Sequence, residues 1–176
     1  DLLLGIPVAN RNHEQTTALI GAFLNTLLLR TAVVPSWGVD NFMKNVHKGL
    51  MEGLENQAYP FERLLEQIDL PSDDNRRPLI PVSLNMVGFD SFKSVSIPVF
   101  EVKSGKTGTQ VQFDLECYFS SFANGIKINT VYDSSLFAPE TIAYWMKEYT
   151  GILEQVVENT TQSIADLSVF ETPLLP

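Results

Sequence analysis

Apolar and polar positions alternate with two different periods along the chain, and the switches between them outline its elements. Residues 2–8, LLLGIPV, are almost wholly apolar and predict a buried strand, followed by a polar loop or short helix over 10–17, NRNHEQTT. Residues 23–34, FLNTLLLRTAVV, are apolar on both alternating faces except at Asn25, Thr26, Arg30 and Thr31, which predicts a strand covered on both sides. The helical period takes over at 39–56, where Val39, Phe42, Met43, Val46, Leu50 and Leu54 make one stripe and Asp40, Lys44, His47, Lys48 and Glu55 oppose it. A shorter helix is predicted over 59–68, YPFERLLEQI, with Phe61, Leu64, Leu65 and Ile68 on one face and Pro60 suited to its first turn.

The second half reads less evenly. LPSDDNRRP (70–78) is a loop by composition, and LIPVSLNMVGF (79–89) is a strand whose Pro81 points to an edge position or an irregular start. Residues 88–109 have a weak pattern, with a strand over 97–103 and a mobile KSGKTGT connection. QVQFDLECYF (110–119) sets Val111, Phe113, Leu115, Cys117 and Phe119 on one face, and GIKINTVY (125–132) pairs with it through a loop ending in Asn124 and Gly125, an antiparallel hairpin. Pro139 opens a helix to 158 with a stripe of Ile142, Trp145, Met146, Tyr149, Leu153 and Val156, before a short tail containing IADLSVF. With no internal repeat, the expected fold class is α/β: one lobe, a mixed sheet backed by helices in a two-layer sandwich.

Composition narrows the function. The 176 residues are 44% hydrophobic and 10% aromatic, enough for one core, and a net charge of −9 with only 12 scattered Lys and Arg argues against nucleic acid as a partner. No run of apolar residues is long enough for a membrane span, and the apolar start, broken by Gly5 and Pro7, lacks the basic flank of a signal peptide. Cys117 is the only cysteine, which agrees with a reducing, cytoplasmic location. One Cys with the two separated histidines His13 and His47 makes no credible metal site. His13, beside Glu14, has no nucleophile next to it and reads as a solvated loop residue, as does His47 on the polar face of its helix. The chain opens without Met directly on an apolar strand, so a piece of a larger protein is expected.

Four stretches carry a resemblance. GIPVANR (5–11) resembles a G-x-P-x-x-x-R turn, and IGAFLNTLLLR (20–30) resembles an I-G-x-F-V-N-T strand ending in Arg. ENQAYPFERL (55–64) and DDNRRPL (73–79) resemble the Q-D-x-P-F-E and R-D-x-S-R-N-P-L motifs, and the hairpin and last helix resemble the closing elements of the same family. Their order is that of the condensation domains of nonribosomal peptide synthetases, of the chloramphenicol acetyltransferase-like superfamily, and the chain resembles the C-terminal lobe of one over nearly its whole length. Leu24, Ala58 and Arg77 depart from the usual Val, Asp and Asn. The H-H-x-x-x-D-G catalytic motif of the family, which lies in the N-terminal lobe, has no counterpart here.

The resemblance implies that the whole domain joins aminoacyl or peptidyl thioesters, delivered on the phosphopantetheine arms of donor and acceptor carrier proteins, in a tunnel between two lobes. This chain would supply the wall opposite the catalytic histidine, with no catalytic residue and no bound cofactor of its own. Its partners would be the N-terminal lobe and the carrier proteins, and a bare inter-lobe face would favour self-association. Gly5, Pro7, Asn10, Arg11, Asn25, Thr26 and Arg30 are the expected tunnel or inter-lobe residues; the alternatives for them are core hydrogen bonds and, for Arg11, an inter-lobe ion pair. Pro60, Phe61 and Glu62 are expected to set a tight join between helices, with Arg77 and Pro78 as a further structural motif. Residues 88–112 are the expected latch crossing to the other lobe. Two other readings fit the same fold: a coenzyme A-dependent O- or N-acyltransferase lobe, and a non-catalytic module that recruits carrier proteins.

Overall fold

A computed structural model describes residues 1–68, 80–87, 113–122 and 125–167. The loop expected over 70–78, Arg77, Pro78, the strand over 97–103, the latch over 88–112 and Asn124 lie outside the described residues.

The elements are β1 (Leu2–Val8), α1 (Glu14–Thr17), β2 (Asn25–Thr31), α2 (Val39–Glu55), α3 (Phe61–Gln67), β3 (Val82–Val87), β4 (Leu115–Phe122), β5 (Gly125–Tyr132), α4 (Pro139–Glu158) and a 3₁₀ turn at Ile164–Asp166. The strands form one mixed sheet in the order β2-β1-β3-β4-β5. β1 and β2 are antiparallel, with Ile6 opposite Leu27, and β4 and β5 are antiparallel, with Phe119 opposite Ile128. β3 lies between β1 and β4 and is parallel to both.

Residues opposite each other across a ladder point to one face, so the register sorts the whole sheet. Leu29, Leu4, Val82, Leu115 and Tyr132 lie in one row and face one side. Leu28, Gly5, Ser83, Glu116 and Val131 lie in the next row and face the other. The first side carries the helices. α2 crosses β2 with Gly49 and Gly53 against it, positions where a Cβ would stand 3.4 Å from a Leu29 methyl and 3.6 Å from one of Leu27. α4 closes the other half, where Ile142 and Met146 pack on Leu115, Cys117 and Ile128. The start of α2 is tied by main chain to the segment that follows α4, from Val39 N to Gln162 O at 3.0 Å and from Asp40 N to Thr160 O at 2.8 Å. The sequence therefore closes as a two-layer α/β sandwich, as its periodicity predicts.

Four local expectations are corrected. β2 is an edge strand, shorter than 23–34, with Leu27, Leu29 and Thr31 buried under α2 and Arg30 exposed on the other face. β3 is interior, and Pro81 precedes it, where its missing N–H costs nothing and its carbonyl accepts from Leu115 N at 3.0 Å. Met43 lies on the exposed side of α2, because Gly49 and Gly53 turn the packed face toward β2. Pro60 caps α3 from outside at φ −65°, and Ile68 ends it exposed.

Candidate functional site

The face of the sheet opposite α2 and α4 is polar where the strands meet. Ser83 and Asn85 of β3 stand beside Glu116 and Tyr118 of β4, partnered Ser83 to Glu116 and Asn85 to Tyr118. Thr26 is opposite Pro7, and these residues with Leu24, Asn25, Glu62 and Phe113 enclose a recess of about 270 Å³. Four chain segments thus meet at one site because the sheet order brings β2, β1, β3 and β4 side by side.

Asn25 builds the rim. Its Nδ2 donates to Gln57 O at 2.8 Å and Tyr59 O at 2.7 Å, while its Oδ1 accepts from Phe61 N at 3.1 Å and Thr26 N at 2.9 Å. The side chain therefore satisfies one of the first N–H groups of α3, which has no cap from its own chain segment. That clamp also seats Glu62, in the first turn of α3, over the recess. The motif around Asn25 and the motif around Pro60 and Phe61 are two halves of one structure. Phe61 is buried beneath it.

Glu116 and Tyr118 are the floor. The Tyr118 hydroxyl donates to Glu116 Oε2 at 2.5 Å, and this bond, with burial and the carboxylate's charge, pushes the phenol up to about 12. Tyr118 is thus a neutral donor at physiological pH. Beneath the floor, on the helix side, Cys117 is buried at 6% exposure, and desolvation pushes its thiol up to about 11. A neutral buried thiol is a poor nucleophile. We expect Cys117 to resist alkylation by iodoacetamide at pH 8 in the folded protein and to react within minutes in denaturant. The same shift has a pH consequence: because the folded thiol titrates near 11 and the unfolded one near 9.0, stability is expected to fall as pH rises through that window.

Of the expected site residues, Pro7, Asn25 and Thr26 line the recess, and Gly5 faces the same side. Glu62, expected to be structural, lines it too. Asn10 holds the turn after β1 at φ 49°, a left-handed conformation that Asn tolerates. Arg11 is occupied within the lobe: its guanidinium donates to the carbonyls of Thr16, Leu19 (2.8 Å) and Gly21 (3.0 Å) and lies 4.3 Å over the Phe23 ring. It shapes the loop that carries the exposed Leu19, Ile20 and Leu24. Arg30 pairs at the exposed sheet edge with Asp1 and is not among the residues that line the recess. His13 and His47 are both exposed, at the start of α1 and on the outer side of α2, and neither lines the recess.

Sequence patterning did not single out Ser83, Asn85, Phe113, Glu116 and Tyr118 as site residues. The signal of Ser83, Asn85, Glu116 and Tyr118 was the polar half of the alternation in β3 and β4, which by itself equally describes a solvated face, whereas Phe113, expected on the apolar face with Leu115 and Cys117, precedes β4 and lines the recess instead. Among the described residues no cluster of His, Cys, Asp or Glu is arranged to hold a metal ion, and no helix is long and apolar enough to cross a membrane.

A model of the condensation domain matches residues 1–173, and the chain belongs to that family. It is 28% identical over 173 residues to surfactin synthase subunit 2 of Bacillus subtilis (strain 168), covering 98% of this chain and 5% of that protein. With bacitracin synthase 1 of Bacillus licheniformis the identity is 28%, covering 96% of this chain and 3% of the relative. Among solved structures, the X-domain from teicoplanin biosynthesis superposes with a TM-score of 0.79 at 22% identity, over 97% of this chain and 40% of that one. The starter condensation domain of rhizomide synthetase gives 0.75 at 21% identity, over 97% and 39%. The chain thus spans a small fraction of its curated relatives and about two fifths of these single-domain structures.

Proposed function

We propose that this chain is the C-terminal lobe of a condensation domain that forms amide bonds between carrier-bound aminoacyl or peptidyl thioesters in nonribosomal peptide synthesis. One observation carries the reading: α2 and α4 pack one face of the sheet, and the other presents a polar recess, rimmed by the exposed apolar Leu24 and by Glu62 of α3. A face of this kind suits a wall that a second lobe completes. In the reaction the acceptor amine attacks the donor thioester carbonyl, a C–N bond forms, the C–S bond breaks, and the amine loses a proton as the thiol departs. Holding two thioester arms end to end and keeping water out are the tasks a rigid wall serves. The rim held by Asn25 and the floor held by Glu116 and Tyr118 give that rigidity. The proton-transfer group belongs to the remainder of the domain on this reading, since His13 and His47 lie apart from the recess. The domain's partners are its own N-terminal lobe and two carrier proteins with their phosphopantetheine arms, in the cytoplasm.

The test is a condensation assay with loaded donor and acceptor carrier proteins, comparing the 176 residues alone with the same residues joined to their upstream lobe. Product from the joined form alone supports the reading. Turnover by the 176 residues alone would return attention to His13, and a joined form that binds carriers without turnover would favour a recruiting module.

A further inference from the structure

The recess has a chemical character of its own, and its use by a substrate rests on the condensation reading above. Its described lining includes two carboxylates, Glu62 from α3 and Glu116 from β4, and two aromatic rings, Phe113 and Tyr118, with no Lys, Arg or His among the described residues that line it. Lys127 is the basic residue that β5 brings to this face of the sheet, opposite Ser120 and one step along the register from Tyr118, and it is not part of the lining. Carboxylates and aromatic faces attract the same ligand, a cation: the first by charge, the second through the ring quadrupole. Amide and hydroxyl groups of Asn85, Ser83 and Thr26 complete a polar lining able to accept hydrogen bonds from an ammonium or guanidinium group. At about 270 Å³ the recess is smaller than typical whole-ligand pockets, which start at about 300 Å³, and so fits a side chain better than an entire ligand.

We propose that this recess is a specificity site for a basic aminoacyl side chain, with Glu116 as its anchor and Tyr118 as the group that positions the anchor. The Tyr118 hydroxyl occupies Oε2 of Glu116, so the carboxylate is oriented before a substrate arrives. The cation it holds is a spectator and not the reacting amine. A carboxylate contact stabilises an amine in its protonated form, which has no lone pair for attack, so such a contact on the acceptor's α-amine would oppose the reaction.

The experiment uses the intact condensation domain and carriers loaded with lysine or with its uncharged isostere norleucine, placed in turn at the donor and at the acceptor position. The quantity read is the lysine-to-norleucine ratio of kcat/KM, which cancels any general loss of folded enzyme. At one of the two positions the native domain is expected to prefer lysine by about tenfold or more, the scale of one well-placed charge contact. Glu116→Gln should bring that ratio close to one, Glu116→Asp should keep most of it, and Tyr118→Phe should reduce it by roughly threefold through loss of orientation. A native ratio near one at both positions, or a preference that survives in Glu116→Gln, overturns the proposal. If Glu116→Gln is inactive with both substrates, an undiminished ratio in Tyr118→Phe and a lost ratio in Glu116→Asp would together overturn it, and the reverse pattern would sustain it. No turnover with any loading would count against the condensation reading itself and is thereby distinguishable.

Discussion

Asn25→Ala is expected to cost about 3 kcal/mol of stability, because four main-chain groups lose their partner in one step. The figure is below four full hydrogen bonds since the site is partly open and water replaces some of them. In a thermal melt this corresponds to a drop of roughly 6–12 °C for a chain of this size. Asn25→Asp should recover little, because its second oxygen would face the carbonyls of Gln57 and Tyr59, which need a donor. The effect should also be local. Hydrogen exchange is expected to rise first at the start of α3, around Phe61, whose N–H is held by Asn25 alone among the described side chains, while β5 and α4 keep their protection. Uniform loss of protection across the sheet, or a melting change under about 1 °C, would show that the clamp between the two motifs is not what holds the rim.

Gly5→Ala should destabilise by about 1–3 kcal/mol, and Gly5→Val by more. A Cβ at this position would lie 2.9 Å from Ile80 Cγ2 and 3.3 Å from Ile80 Cδ1, and Ile80 is 2% exposed with no room to retreat. The glycine is therefore required for close approach on the open face of β1 and not for an unusual backbone angle. A double-mutant cycle isolates the cause. Ile80→Ala removes both clashing carbons, so Gly5→Ala should cost markedly less in that background than in the native chain. Simple additivity between the two substitutions would place the strain elsewhere.

Elements were legible in the sequence where their determining contacts are local. β1 was readable as a short continuous apolar run, and α2, α4 and the β4–β5 hairpin because each is a periodic segment, or a pair of them, whose apolar positions face one layer. Where one side chain or one neighbour overrode the pattern, the reading slipped. Phe23 and Leu24 continue the apolar run of β2, yet the strand begins at Asn25, whose side chain bonds to the Gln57–Phe61 turn far along the chain. Pro81 suggested an edge or an irregular start, and the second holds: β3 is interior, and the proline sits just before its first paired residue. The recess was the least legible part. Thr26, Ser83 and Glu116 share a face only through the order β2-β1-β3-β4, and nothing in the local pattern of any one strand announces its neighbours. The resemblance pointed to Pro7, Asn25 and Thr26 on the β1 and β2 side, while the floor residues Glu116 and Tyr118 lie in the hairpin, which it included without singling out either one.

Which face of the sheet the rest of the domain covers decides whether the recess is a chamber wall. The most direct measurement is hydroxyl-radical footprinting of this chain alone and of the chain joined to its upstream lobe, followed residue by residue. Leu24, Phe113 and Tyr118 on the open face are expected to lose reactivity on joining, whereas Met43 and Met51, exposed on the outer side of α2, keep theirs. Protection of Met43 and Met51 with unchanged labelling at Leu24 and Tyr118 would mean that the second lobe packs on the helices, and the polar face would not be the wall of a reaction chamber.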